Sequence, residues 1–444
     1  MSKRINHIIS EIKDQYLLDH DFNKPWIIGF SGGKDSTALL QLVWLALKQI
    51  PSNQRKRKIY VICNDTLVEN PIIVDYVEIV LDKIRQAAVE QGLPIEVNKT
   101  IPRLEDSFWV NIIGRGYPVP NNAFRWCTDK MKIKPTSRFV TEQVAENGEA
   151  IILIGTRSAE SQTRANSIKK HEIRGKRLTK HPHHHNTFVY APIKELMLEE
   201  VWYIINTMSS PWGADNSQLF QIYSDASADD YECPTMVSDK QHTSCGQSRF
   251  GCWTCTVVTE DKSMTALVNK GQEWLRPLLE LRASMFDKRN ISENRMPTRR
   301  NGQHAVTEDG QNQGNYTEKY RAELLEEILI AQRKVQEDKP KLNLITHQEL
   351  VAIQVIWNRD LNFEYRVAEI YNRVYNRENA MKTNDEKLQK EMDLLKDVCA
   401  ENPKDFDLIQ ELLTMQKNKA LLNKKRGLKD DMERVIEKYL KKVS

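Results

Sequence analysis

The sequence predicts an α/β protein: a doubly wound, mostly parallel sheet, then a cysteine-rich segment, then a helical C-terminal region. Three observations predict it. Short apolar runs alternate with helical patterns over the first 210 residues. Four of the seven cysteines crowd between positions 233 and 255. From about residue 315 onward, apolar side chains recur at helical spacing to the end. These shifts divide the chain into residues 1–210, 211–300 and 301–444.

A chain of 444 residues is long enough for two or three domains and a large core. A hydrophobic content of 40% and a mean hydropathy of −0.59 suit a water-soluble protein. No apolar run approaches the length of a membrane span, and Met1-Ser2-Lys3-Arg4 opens a polar helix rather than the apolar stretch of a signal peptide. The expectation is a cytoplasmic protein with no membrane attachment. Thiols stay reduced there, which favours ligand or nucleophile roles for the cysteines over a disulfide framework. The 65 basic and 61 acidic residues leave a net charge of +4, so any nucleic-acid contact has to come from a local basic patch.

Taken in order, residues 1–25 read as one polar helix, and the apolar run 26–30 as a buried strand. Then come Ser31-Gly32-Gly33-Lys34-Asp35-Ser36-Thr37, with a helical pattern expected from Thr37. Paired glycines let the backbone turn tightly and aim its N–H groups inward, and a helix N-terminus adds partial positive charge. Lys34 supplies a cation; Ser31, Ser36 and Thr37 supply hydroxyls. This is a cradle for polyphosphate. It is not a Walker A loop, whose hydroxyl residue directly follows the lysine; here Asp35 does. The run from Ser31 to Ser36 resembles instead the PP-loop of the ATP pyrophosphatases and phosphoadenylylsulfate reductases. That resemblance implies an adenine nucleotide alpha-hydrolase-like fold, ATP and Mg²⁺, and cleavage between the α and β phosphates.

Strands are expected at residues 58–63, 94–100, 150–154 and 188–191, with a helix over 71–91. In an open parallel sheet ligands sit beyond the carboxyl ends of strands, which brings Asp65 and Thr66 near the cradle. Gly155 at the end of the fourth strand permits close approach of a nucleotide, and Arg157 and Arg164 place cations near its phosphates. Arg125-Trp126-Cys127-Thr128, the block 155–165 and Ala191-Pro192-Ile193 resemble the reductase branch of the PP-loop superfamily, and with the loop they span roughly residues 24–210. Between 167 and 187 lies a basic insert with Lys169, Lys170, Arg174, Lys176, Arg177 and Lys180. It reads either as a solvated loop or as a contact surface for a phosphate backbone. His183-His184-His185 is not read as a metal site, because adjacent side chains point apart.

Cys233, Cys245, Cys252 and Cys255 are spaced C-x11-C-x6-C-x2-C. Four thiolates from one short segment make a tetrahedral metal site or a cubane cluster. Zinc usually takes two C-x-x-C pairs and there is one here, so [4Fe–4S] is favoured. With the PP-loop and the basic insert, Cys245-Gly246-Gln247-Ser248-Arg249-Phe250-Gly251-Cys252-Trp253-Thr254-Cys255 resembles the DndC family, the sulfurtransferases of DNA phosphorothioation. That family replaces a non-bridging oxygen of the DNA backbone by sulfur. The resemblance implies an iron–sulfur protein with ATP pyrophosphatase activity, acting on DNA directly or through partners, beside a cysteine desulfurase and other Dnd proteins. It assigns catalysis to Lys34, Asp35 and Cys127. Assimilatory adenylylsulfate reductases carry a paired Cys-Cys near the position of Cys127, whereas Thr128 follows here. Cys127 stays open as a persulfide-bearing nucleophile, a replacement cluster ligand or a packed thiol. A reductase of sulfur assimilation remains the alternative activity.

In the C-terminal part, residues 298–314 read as a flexible polar loop, and Thr346-His347-Gln348-Glu349 as a capping box before a helix. No catalytic constellation stands out there. A helical buttress or docking region is the reading.

Overall fold

In the computed structural model the residues described are 2–18, 24–172, 175–226, 251–360, 362, 364–378, 386–420 and, from 432 to 440, all but 434 and 438. They form two compact units, one of Met1–Phe108 with Pro120–Ala283 and the other of Trp109–Val119 with Ser284–Ser444.

The first unit is built on six strands: β1 (Trp26–Gly29), β2 (Ile59–Asn64), β3 (Ile95–Thr100), β4 (Ala150–Leu153), β5 (Leu178–Lys180) and β6 (Thr187–Tyr190), in the order β3-β2-β1-β4-β6-β5. All neighbours pair in parallel except β5, which runs antiparallel to β6 at the edge. Every residue of β1, β2 and β4 is buried, which is why these strands read as unbroken apolar runs.

Alternate residues of β1 serve opposite faces. Trp26 and Ile28 join a core with α1 (Ser2–Leu18), α2 (Lys34–Lys48), α3 (Pro71–Glu90) and, from later in the chain, α6 (Leu198–Thr207) and α7 (Asn216–Ala226). Ile27 joins the other core, where Val140 of α4 (Lys134–Asn147) packs on Ile62 and Ile152. Both faces are covered, as doubly wound sheets require. The chain leaves β1 for β2 on one side and returns to β4 on the other, so β1 and β4 flank the switch point of the sheet.

Three local differences from the sequence reading have plain causes. Helix α2 begins at Lys34, three residues before the expected Thr37, because Gly33 is the extended N-cap (φ −78°, ψ 166°). The first turn of a helix tolerates polar residues whose N–H groups have no helical partner anyway. The basic insert is not one loop. Its start belongs to α5 (Gln162–His171) and its middle to β5, three residues too short to show a period. Residues 298–314, expected as a flexible loop, carry isolated bridges (Thr298 to His304, Val306 to Asn312), and Arg295 of the same unit donates to the carbonyls of Gly314 (2.7 Å) and Gln313 (2.6 Å).

The first unit adds α8 (Lys262–Asn269) and most of α9 (Arg276–Lys288), and the helices of the second unit include α10 (Glu318–Asp338), α11 (His347–Arg359), α12 (Val367–Tyr375), α13 (Glu386–Val398) and α14 (Pro403–Ala420). Its core is helical: the indoles of Trp109 and Trp357 donate to the carbonyls of Leu344 and Ile113, each at 2.8 Å. Thr346 and Glu349 form the expected capping box on α11.

Candidate active site

The loop from Ser31 to Gly33 connects the carboxyl end of β1 to the N-terminus of α2. Its turn needs glycine at one position above all: Gly32 has φ +75°, and a Cβ there would lie 2.6 Å from Val77 Cγ2. The hydroxyls organise the loop internally. Ser36 Oγ donates to the Gly33 carbonyl (2.9 Å), lies 3.1 Å from Ser31 Oγ and accepts from the Ser31 N–H (3.3 Å). Ser31 Oγ in turn accepts from the Gly33 N–H at 3.4 Å.

The loop after β4 closes against this turn. A Cβ on Gly155 would come within 3.0 Å of the Asp35 carbonyl, so the glycine lets the loop after β4 pack against the first turn of α2. Between the loops lies a shallow cleft that opens to solvent. Of the predicted residues, Ser31, Gly33, Lys34, Asp35, Ser36, Gly155 and Arg164 line it. Thr156, Glu160 and Tyr223 line it as well. Glu160 was visible within the 155–165 block; Tyr223, 189 residues beyond Lys34, carried no motif.

Charge in the cleft is arranged as a chain of pairs. The Lys34 ammonium lies 3.1 Å from Asp35 Oδ2, and Arg157 Nε lies 2.5 Å from Asp35 Oδ1. Arg164 pairs with Glu160, which also lies 4.0 Å from Arg157. Arg157 is 2% exposed and turned toward Asp35, so it positions a carboxylate; Arg164 is the cation on the cleft wall. Burial holds the Lys34 ammonium below its ordinary pKa, partly offset by Asp35. Burial likewise raises the Glu160 carboxyl, opposed by Arg164. One buried hydroxyl oxygen of the cleft lining, Thr156 Oγ1, has no hydrogen-bond partner among the described residues. An unpaired buried hydroxyl beside the Lys34 and Arg164 side chains fits an anionic, oxygen-rich ligand.

The remaining predicted residues gather at the end of β2. Asp65 is engaged by Lys99 (3.1 Å) and by the Leu67 N–H (2.8 Å) and does not line the cleft. Thr66 Oγ1 lies 3.3 Å from Cys252 Sγ. Burial of that sulfur pushes the Cys252 thiol up to about 12. Trp253 N–H bonds the Val68 carbonyl at 3.0 Å, Thr256 Oγ1 the Pro120 carbonyl at 2.6 Å, and Cys255 N–H the Cys252 carbonyl at 3.1 Å. Arg282, 3% exposed, donates to the carbonyls of Cys255 (3.0 Å), Thr259 (2.6 Å) and Val258. Cys127, half-buried, caps a π-helical stretch, Thr128–Ile133, whose Met131 carbonyl accepts from Asn64 at the end of β2 (3.1 Å). Cys233 and Cys245 lie outside the described residues, and among the described residues no three metal-type side chains converge.

The phosphoadenosine phosphosulfate reductase domain model matches residues 25–258, more than half of the chain. The chain belongs to that family. The match spans the sheet, the PP-loop cleft and the Cys252–Cys255 turn, so one family unit carries both features. An uncharacterized protein of Methanocaldococcus jannaschii is 27% identical over 188 residues, which are 42% of this chain and 31% of that relative. The chain thus matches under a third of that relative's length. Among solved structures, the phosphoadenylyl-sulfate reductase of Candida auris is 15% identical, covering 48% of this chain and 89% of that one, with a TM-score of 0.28. The U34-tRNA thiolase NcsA of Methanococcus maripaludis, with its [4Fe-4S] cluster, is 18% identical, covering 49% and 73%, with a TM-score of 0.28. At that distance neither structure locates a residue in this chain.

Proposed function

We propose that this family member is an ATP-dependent sulfurtransferase that activates a DNA backbone phosphate by adenylation and replaces one of its oxygens by sulfur. The observation that carries the reading is the PP-loop cleft, where the N-terminus of α2, Lys34 and Arg164 converge at the switch point of the sheet. A non-bridging oxygen of the DNA phosphate attacks the α-phosphorus of ATP. The bond to the bridging oxygen breaks, and pyrophosphate leaves against Lys34 and the N-terminus of α2, which offset its growing charge. Sulfur from a cysteine desulfurase, as hydrosulfide released from the desulfurase persulfide by a thiol reductant or as a persulfide on Cys127, then attacks the DNA phosphorus. AMP departs, and the persulfide route needs a further thiol to cleave the remaining S–S bond. Asp35, held between Arg157 and Lys34, keeps the ammonium aimed into the cleft. Mg²⁺ would screen the polyphosphate.

Cys252 and Cys255 present a compact C-x-x-C turn that fits two ligands of a [4Fe–4S] cluster, with Cys233 and Cys245 completing the set. Bound there, a cluster would pin the segment beside β2 and supply iron with affinity for sulfur. For DNA, the exposed cations are Lys169, Lys170, Lys176 and Lys180, whereas Arg177 is committed to Glu11 by two 2.6 Å bonds and Arg174 lies outside the described residues.

The second reading is a sulfonucleotide reductase, favoured by the family match and the 155–165 block. One experiment separates the two: ³⁵S-cysteine with a desulfurase, ATP and DNA, run beside phosphoadenylylsulfate with thioredoxin. The sulfurtransferase reading expects ATP-dependent label in the DNA and no sulfite. Sulfite without labelled DNA establishes the reductase instead.

A further inference from the structure

The polyphosphate cradle already holds an acceptor supplied by the protein from far along the chain. The backbone N–H of Lys34, first of α2, donates to the hydroxyl of Tyr223 at 3.2 Å. At a helix N-terminus this N–H has no helical acceptor and is aimed at whatever the cleft contains. The Tyr223 ring also lies under the Lys34 ammonium, 5.4 Å from its nitrogen. One side chain therefore covers both groups of Lys34 that a phosphate needs.

Tyr223 is placed there firmly. It is 7% exposed, lines the cleft, and meets the Trp202 ring of α6 edge-on at 5.2 Å. The other loop N–H bonds, from Ser31 and Gly33, are made within the loop to its own serines. Tyr223 is a different kind of partner: a neutral oxygen from another helix, standing where an anionic one would bind.

We infer that Tyr223 sets the affinity of the polyphosphate site: its hydroxyl occupies the phosphate position at the Lys34 N–H, and a bound polyphosphate displaces it. This rests on the nucleotide reading of the cleft given above. A phosphate oxygen carries charge and makes the stronger bond to the N–H, so exchange favours the ligand, but the ligand must first break the bond to the phenol. Removing only the hydroxyl leaves the ring, its packing on Trp202 and its contact with Lys34 in place.

The test is calorimetric titration of the full chain with ATP and with pyrophosphate, for the wild type, Tyr223→Phe and Lys34→Ala. The inference expects Tyr223→Phe to bind both ligands about five-fold more tightly, and to bind adenosine unchanged. A gain of affinity is a result that structural damage does not produce. Unchanged or weaker pyrophosphate binding by Tyr223→Phe, with wild-type binding that Lys34→Ala abolishes, overturns the inference and leaves the nucleotide site standing. No binding of either ligand by wild type and Tyr223→Phe alike overturns both.

Discussion

The cleft at β1 and β4 and the cysteine turn at β2 lie beyond neighbouring strands of one sheet and are built on opposite plans. The cleft comes mostly from two short runs, 31–36 and 155–164, the first bonded within itself through its serine hydroxyls and the two joined by the Arg157–Asp35 pair. The cysteine turn closes on itself through the Cys255 N–H and the Cys252 carbonyl. It is hung on distant backbone: the Val68 and Pro120 carbonyls on one side and the guanidinium of Arg282 on the other. A site made locally is preorganised and loses function when a single group is removed. A site hung on distant segments loses structure first.

Several substitutions break or sharpen that contrast. The largest effect belongs to Lys34→Ala, which removes the cation facing the departing pyrophosphate. It should slow pyrophosphate release about 10²–10³-fold with the melting temperature little changed, read by a coupled pyrophosphate assay and calorimetry. Next is Arg282→Met, which strips three carbonyls of their donor and should cost about 3 kcal/mol in urea titrations while lowering bound iron after anaerobic reconstitution. Intact iron content and unchanged stability in that variant contradict the hung design. Gly32→Ala combines a strained φ with a 2.6 Å approach to Val77, so it should cost about 2 kcal/mol and weaken ATP binding together.

How much of this was legible depends on whether the cause was local. The buried strands showed themselves because every position of β1, β2 and β4 is apolar or nearly so. The PP-loop glycines, Lys34 and the C-x-x-C pair stood out by spacing alone. Partnerships set by the fold were hidden. Nothing near Arg157 in sequence says that it turns to Asp35 rather than to a ligand, and nothing near Tyr223 says that it reaches Lys34. The run Trp109–Val119 likewise belongs with residues hundreds of positions later, through bonds such as Trp357 to the Ile113 carbonyl. Edge strand β5 was missed because Leu178-Thr179-Lys180 is too short and too polar to stand out from the insert.

Two smaller effects sharpen the contrast from outside both sites. Replacing Lys169, Lys170 and Lys176 with Ala should reduce the salt slope of DNA binding by about three, one unit per phosphate contact, and leave DNA-independent pyrophosphate release unchanged. An unaltered slope assigns DNA contact to partner proteins. Smallest, Thr346→Ala removes the cap of α11 in the second unit and should cost about 1 kcal/mol without moving either nucleotide affinity or iron content.

The most direct measurement of the central claim is the product of ATP turnover, followed by anion-exchange chromatography of reactions with DNA and a sulfur donor. Cleavage at the α-phosphate predicts AMP and pyrophosphate in equal amounts, each lost in Lys34→Ala. ADP and inorganic phosphate as the products would contradict it.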